Sequence, residues 1–308
     1  MIFCGTPQFA VPSLKHFLTQ ADFEVACVYT QPDRPRGRGQ ELGESAVKQV
    51  ALSAGIEVRQ PAKIRAPEIE EQLRAVAPDV IVIIAYGQII PARLLTIPPL
   101  GWINLHASLL PKYRGAAPIH WAIANGETRT GNTTMRIDSG MDTGEMLLQQ
   151  ELAIGAKETA PELATRLAQA GAPLMAETLR GLAAGTLSPR PQNHAEATLA
   201  PMLKREDGRI DWSRSAQEIY NRMRGFEPWP GAYTEFRGQT CHLWGEPMAN
   251  EQTEAAPGAL LVQRGGVRVA CGQGSVLQLS AVKLEGRKEV TAQEFANGAR
   301  LQVGEQLG

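Results

Sequence analysis

Six consecutive apolar residues, Val80-Ile81-Val82-Ile83-Ile84-Ala85, restrict this chain more than any other stretch. Successive residues of a strand point to opposite faces, so a strand with water on one side alternates apolar and polar side chains. This run does not alternate. It reads as a central strand of a parallel sheet, covered on both faces. The neighbouring segments agree. Ile2 to Cys4 reads as a strand ending in Gly5-Thr6-Pro7, and Phe9 to Leu18 as a helix with Pro12 tolerated in its first turn. Val25 to Thr30 reads as a strand, Ser45 caps a helix running to Ala54, and Pro67 opens another helix with Ile69, Leu73 and Val76 at helical spacing. Leu100 to Asn104 is the next expected strand. Thr133–Ile137 and Met146–Leu152 are expected to pair, and Glu162 to Ala184 is a long helix expected to kink near Gly171 and Pro173. Strands alternating with helices predict an α/β, Rossmann-like, mostly parallel sheet over residues 1–185.

The length of 308 residues allows about two domains, and the texture changes where a second one is needed. Pro189, Pro191 and Pro201 punctuate a linker, 186–204. Over 205–308 one helix, Ala216 to Arg224, is followed by short strands, with Gly265-Gly266 and Gly272-Gln273-Gly274 where hairpin turns are required. This predicts a small, OB-like antiparallel β-barrel. The formal net charge of −1 argues against a generally basic coat but not against a local patch. Cys4, Cys27, Cys241 and Cys271 sit in apolar surroundings without C-x-x-C spacing and are expected to be buried, reduced thiols. No apolar run reaches the ~20 residues of a membrane span. Met1-Ile2-Phe3-Cys4 enters structure at once, with no secretory leader expected, so a cytoplasmic location is expected. Gly5 stands without a G-x-G-x-x-G pattern, and no P-loop is present, so neither a bound dinucleotide nor ATP is expected. The five His are scattered without ligand spacing, so no metal is expected.

The chemistry concentrates at the end of the Leu100 strand. Asn104 and His106 lie two residues apart, so both project from one face at the carboxyl edge of the sheet, where open α/β folds place their ligands. Downstream, Asp138-Ser139-Gly140-Met141-Asp142-Thr143-Gly144 puts a carboxylate on a Gly-rich loop. An amide donor, an imidazole and an orienting carboxylate suit stabilisation of a tetrahedral oxyanion. Taken singly, each residue has a plainer use: the His in packing, the Asn in a turn, the Asp as a cap.

The block Asn104-Leu105-His106-Ala107-Ser108-Leu109-Leu110-Pro111, the loop Gly140-Met141-Asp142-Thr143-Gly144 and Tyr86-Gly87 closely resemble the 10-formyltetrahydrofolate-dependent formyltransferases. Gln31-Pro32-Asp33-Arg34-Pro35 with Gly37-Arg38-Gly39, and the turn Pro228-Trp229-Pro230, resemble the members that formylate methionyl initiator tRNA. The resemblance implies a Rossmann-like domain followed by a small barrel. It also implies formyl transfer from the folate N10 to the α-amine of methionine on charged initiator tRNA, in translation initiation. By the family pattern Asn104 donates to the oxyanion, and His106 stabilises it as an imidazolium or donates a proton as the centre collapses. Asp142 orients the imidazole. Tyr86, Gly87, Ile89, Ser108, Leu109, Leu110, Pro111, Asp138 and Gly140 are the implied folate contacts, with core packing the alternative for Ile89 and Ile90.

Arg34, Arg36 and Arg38 are the implied tRNA contacts, on a stretch where Pro and Gly are expected to forbid a regular element. Gln40-Glu41-Leu42 follows where more lysine is expected. The region from Pro201 to Gly308 holds 13 basic and 13 acidic residues. Any tRNA contact there therefore needs a one-sided patch, with Lys204, Arg205, Arg209, Lys283, Arg287 and Lys288 as candidates. Trp229 reads as a packed corner. A monomer is expected. Competing readings are a formyltransferase acting on a ribonucleotide or amino-sugar nucleotide, a formyl-folate hydrolase, and a non-catalytic RNA-binding protein.

Overall fold

The computed structural model describes residues 1–36, 41–263, 266–302 and 304–308. It contains two compact units that interleave in sequence. The first comprises Met1–Pro118, Arg129–Ala153 and Glu162–Pro201; the second comprises Ile119–Thr128, Ile154–Pro161 and Met202–Gly308.

Strands β1 (Ile2–Gly5), β2 (Cys27–Tyr29), β3 (Arg34–Arg36), β4 (Glu41–Gly43), β5 (Glu57–Arg59), β6 (Ile81–Ile84), β7 (Trp102–His106), β8 (Arg129–Arg136) and β9 (Met146–Ala153) belong to the first unit. Seven of them form one sheet in the order β5-β2-β1-β6-β7-β8-β9. Pairings from β5 through β7 are parallel, and β8 and β9 are antiparallel. The strand order reverses between β1 and β6, which leaves a crevice at their carboxyl ends.

Burial on both faces explains the unbroken apolar run. Phe3, Val82, Ile84, Ile103 and Leu105 pack on one side against α1 (Val11–Leu18), α2 (Ala46–Ser53) and the later part of α6 (Ala160–Ala183). Ile2, Cys4, Ile81, Ile83 and Trp102 pack on the other, against Ile69 and Leu73 of α3 (Pro67–Val76) and Leu94 of α4 (Ala92–Leu95). The short helix α5 (Pro118–Ala124) falls almost wholly in the second unit. Ser45 caps α2 by accepting from the Lys48 N–H. Helix α6 runs through Gly171 and Pro173 as one element, and Gly171 lets it lie close to Leu105.

The strand expected over Leu100–Asn104 begins later, at Trp102. A turn closed by the Gly101 N–H on the Pro98 carbonyl delays it. The stretch expected to be irregular contains a two-stranded hairpin, with Arg34 opposite Gly43 and Arg36 opposite Glu41. Both strands are edges, and an edge strand tolerates a proline such as Pro35.

In the second unit α7 (Ala216–Gly225) precedes β10 (Tyr233–Phe236), β11 (Gln239–Gln252), β12 (Leu260–Gln263), β13 (Gly266–Ala270), β14 (Ser275–Leu284) and β15 (Val290–Thr291), and α8 (Ala292–Ala299) follows. The sheet runs β10-β11-β14-β13-β12, with β15 beside β14, and forms an antiparallel half-barrel. Ile219 and Met223 of α7 and Phe295 of α8 pack against Leu243, Val267, Leu277 and Val282. Trp229, expected to be packed, is 55% exposed. Phe226 is the buried aromatic there, meeting Trp121 edge-on at 5.2 Å.

All four cysteines are free and buried. Burial raises the Cys4 and Cys27 thiols and pushes those of Cys241 and Cys271 up to about 12. The native protein is therefore expected to show no thiol reacting promptly with Ellman's reagent at pH 8, and four on unfolding in guanidinium.

Candidate active site

Trp102, Asn104 and His106 alternate with Ile103 and Leu105 along β7, so the two polar residues share one face. Trp102 fills the core at the start of that face, with its indole N–H on the Leu94 carbonyl at 2.8 Å. Asn104 is partly exposed, and His106 is only 6% exposed.

Each nitrogen of the His106 ring faces an oxygen. Nε2 lies 2.9 Å from the Tyr113 carbonyl. A carbonyl only accepts, so Nε2 carries the proton and donates. Nδ1 lies 3.6 Å from Asp142 Oδ2. The same oxygen accepts the Gly115 N–H at 2.8 Å. A ring with one proton serves Tyr113 alone; a ring with two also points an N–H at Asp142. Asp142 has a left-handed backbone, φ +54°, so its carboxylate reaches His106 from a strained loop position. His106 and Asp142 are thus brought together, and Asn104 shares the strand face of His106.

The Asp138–Gly144 loop is held from within. Asp138 accepts the Gly140 N–H at 3.0 Å and the Thr143 hydroxyl at 2.8 Å. A Cβ on Gly140 would overlap Thr143 Oγ1, so glycine is required there by the loop's own turn.

The segment after β6 lies beside the crevice at the β1/β6 reversal. The Tyr86 side chain is 1% exposed within the core, and burial raises its phenol. Its carbonyl accepts from Thr6 Oγ1 at 3.0 Å and from Gln31 Nε2 at 3.1 Å. Ile90 is core, whereas Ile89 is 91% exposed, a large apolar side chain held out at the sheet's carboxyl edge.

Ser108–Pro111 forms a tight wall. Thr133 Oγ1 donates to the Ser108 carbonyl at 2.7 Å and accepts the Leu110 N–H at 3.1 Å, while Gln149 Nε2 donates to the Leu110 carbonyl at 2.9 Å. Ser108 is fully buried and donates to the Lys112 carbonyl at 2.6 Å. Leu110 is buried and Leu109 partly so.

Arg34 and Arg36 lie on β3, with Arg34 exposed; Arg38 lies outside the described residues. The hairpin's root is tied down. Asp33 pairs with Lys48 and accepts from Gln60 Nε2 at 2.8 Å, and these two partners hold its carboxyl below the usual range. Gln31, two residues earlier, carries the link to the Tyr86 carbonyl.

In the second unit, Tyr233, His242 and Lys283 are register neighbours across β10, β11 and β14. The Arg205 guanidinium lies 5.9 Å over the Tyr233 ring. Burial, Lys283 and Arg205 together depress the His242 pKa. Two of the six predicted basic residues therefore converge, joined by a histidine the sequence reading passed over. Arg209 is instead 3.5 Å from Glu235.

Comparison with known proteins agrees with this architecture. Residues 1–179 match the formyl transferase family and residues 202–300 its C-terminal domain. Methionyl-tRNA formyltransferase of Solibacter usitatus is 55% identical over 308 residues, covering 100% of this chain and 98% of that protein. The enzyme of the same name from Geobacter metallireducens is 50% identical, at 100% and 98% coverage. This chain belongs to the methionyl-tRNA formyltransferase family. Among solved structures, the sugar 3N-formyltransferase WlaRD, crystallised with dTDP and 5-N-formyl-THF, superposes with a TM-score of 0.66 at 18% identity, over 93% of this chain and 98% of that one. HypX of Aquifex aeolicus in complex with tetrahydrofolic acid gives 0.62 at 16%, over 99% and 48%. At these identities the likeness is one of fold.

Gly115 has φ +120°, and an added Cβ would sit 2.7 Å from the Ala200 carbonyl oxygen. Gly115→Ala is expected to lower the unfolding free energy by about 1–3 kcal/mol, read as a lower urea midpoint at unchanged m-value.

Proposed function

We infer that this chain transfers a formyl group from 10-formyltetrahydrofolate to the α-amine of methionyl initiator tRNA, for translation initiation. The observation that carries this reading is the His106–Asp142 contact beside Asn104, in a chain about half identical over its whole length to methionyl-tRNA formyltransferases. The neutral amine attacks the formyl carbon, and a C–N bond forms as the carbonyl oxygen takes the negative charge. The carbon–N10 bond then breaks, N10 gains a proton, and the amine loses one.

Asn104 and His106 are the donors to the oxyanion, and Asp142 orients the imidazole through Oδ2. The folate ring lies against the edge made by Tyr86, Gly87 and Ile89, with the Ser108–Pro111 wall and the Asp138–Gly140 turn beside it. Exposed Ile89 supports this assignment, because a flat ring covers apolar surface that is otherwise left in water. Tyr86 serves through its backbone position, since its ring is core.

Residues 1–185 carry the chemistry, and 205–308 assist tRNA binding through the patch of Arg205, His242 and Lys283. Arg34, Arg36 and Arg38 take the acceptor end by phosphate contact. No described helix is long and apolar enough to cross a membrane. In this reading the protein works as a monomer in the cytoplasm.

The deciding experiment incubates the protein with 10-formyltetrahydrofolate and charged initiator tRNA, and weighs the released amino acid. A formyl mass increment is expected. Its absence, with active donor and acceptor verified, overturns the reading, and formate release without tRNA would indicate a hydrolase instead. Asn104→Ala and His106→Ala are each expected to slow single-turnover formylation by about 10²–10³.

Arg34→Ala and Arg36→Ala are expected to raise the tRNA KM at nearly constant kcat. Each should lessen the salt-dependence slope of tRNA binding by about 1. Unchanged slopes would remove the hairpin from the tRNA contact.

A further inference from the structure

Gln192 lies in the stretch that reads as a linker, yet it is only 6% exposed. Its side chain makes a complete set of contacts. Nε2 donates to the carbonyls of Asp142, at 2.8 Å, and of Gly144, at 2.7 Å, so one amide nitrogen straddles Thr143. Oε1 accepts from Arg114 Nε at 3.0 Å and from Arg114 Nη2 at 2.7 Å. The amide can sit in one orientation only. Guanidinium nitrogens do nothing but donate and backbone carbonyls do nothing but accept, so the oxygen must face Arg114 and the nitrogen the loop.

Arg114 is itself 7% exposed, and its Nη2 also lies 3.2 Å from His194 Nδ1. Its partners, Gln192 and His194, are not acidic, so its charge is spent on polarising the Gln192 amide rather than on an ion pair. The peptide that follows Arg114 supplies the Gly115 N–H to Asp142 Oδ2. Arg114 and Gln192 thus grip Asp142 twice, by its backbone carbonyl and by its carboxylate. Asp142 needs that grip because its φ of +54° is one that a non-glycine residue leaves when it is not held.

We propose that Gln192, backed by Arg114, is a positioning residue for the reaction: it fixes the Asp142 carboxylate against His106. This rests on the reading of Asp142 as the group that orients His106. A displacement of about 1 Å at a reacting group costs up to about a hundredfold in rate. The stretch expected to be a linker, which up to Pro201 belongs to the first unit, then serves the reaction through Asp142.

The test is a double-mutant cycle on the full-length protein with Gln192→Glu and Asp142→Asn. The glutamate keeps the side-chain volume and pairs with Arg114, but turns an acceptor oxygen toward two carbonyls. In single-turnover formylation Gln192→Glu is expected to be about tenfold to hundredfold slower, with the KM for donor and for tRNA within twofold of the parent. In the Asp142→Asn background the same change is expected to cost less than twofold, because its target is already gone. Equal costs in both backgrounds overturn the proposal, as does a parent-like rate for Gln192→Glu. Gln192→Asn, which keeps the amide one methylene shorter, serves as the second variant, with thermal melting as the control. Loss of the fold in both variants would make Gln192 a folding residue and also overturn it. If Asp142→Asn itself retains the parent rate, the failure belongs to the role given to Asp142; if it is impaired and Gln192→Glu is not, the failure belongs to Gln192 alone.

Discussion

The inner strands of the first unit's sheet are buried on both faces, and that burial decides where polar chemistry can occur. Between Ile2 and Leu105 the inner strands offer almost no position at which a charged side chain keeps its water. An unpaired carboxylate or imidazole in mid-strand would be penalised by several kcal/mol. Polar groups are therefore pushed to the carboxyl ends of β6 and β7, where helices no longer cover the sheet. His106 is the last residue of β7, and Asn104 precedes it by one pleat. Both inherit their direction from Trp102, which is locked into the core on the same face. Their placement is thus a by-product of packing, and the loops have only to supply partners.

The partners come from segments far apart in sequence. Tyr113 and Gly115 follow the Ser108–Pro111 wall, and Asp142 arrives from the loop between β8 and β9. Each presents an oxygen or an N–H that would be unsatisfied if its segment moved away, so the contacts reinforce one another. The 3.6 Å gap between Nδ1 and Oδ2 is longer than a hydrogen bond. A second proton on the ring would point an N–H at that oxygen.

Much of this was legible before the structure. The unbroken run at Val80–Ala85 demanded a doubly covered strand, and period-two spacing put Asn104 and His106 on one face. The turn composition of the C-terminal third indicates short antiparallel strands. The rest escaped for identifiable reasons. Thr291 and Glu294 form a capping box that announces α8, a local signal that was passed over. The hairpin at Arg34 runs against the proline content of its sequence because an edge strand accommodates a residue that breaks an inner one. Trp229 is exposed where a packed corner was expected, and Phe226 is the buried ring, because aromatic content alone does not say which ring turns inward. The interleaving of the units, and the burial of Gln192 within the first unit where a linker was expected, arise from contacts between distant segments, which local patterning does not encode.

The Asp142 loop shows why such distant contacts accumulate at a site. A left-handed aspartate lies above its relaxed state by of order 1–3 kcal/mol, so the free loop would spend little time in this geometry. The ties from Gln192 and from the Gly115 N–H act at opposite ends of the residue, one on its carbonyl and one on its carboxylate. Neither alone fixes both φ and the side-chain direction. Gly115 can make its tie only with φ at +120°, a conformation that a side chain there would resist. The carboxylate is therefore held by one strained residue, Asp142 itself, and by a glycine that takes its positive φ without steric cost, while the buried Arg114 backs the Gln192 tie with two charge-assisted hydrogen bonds.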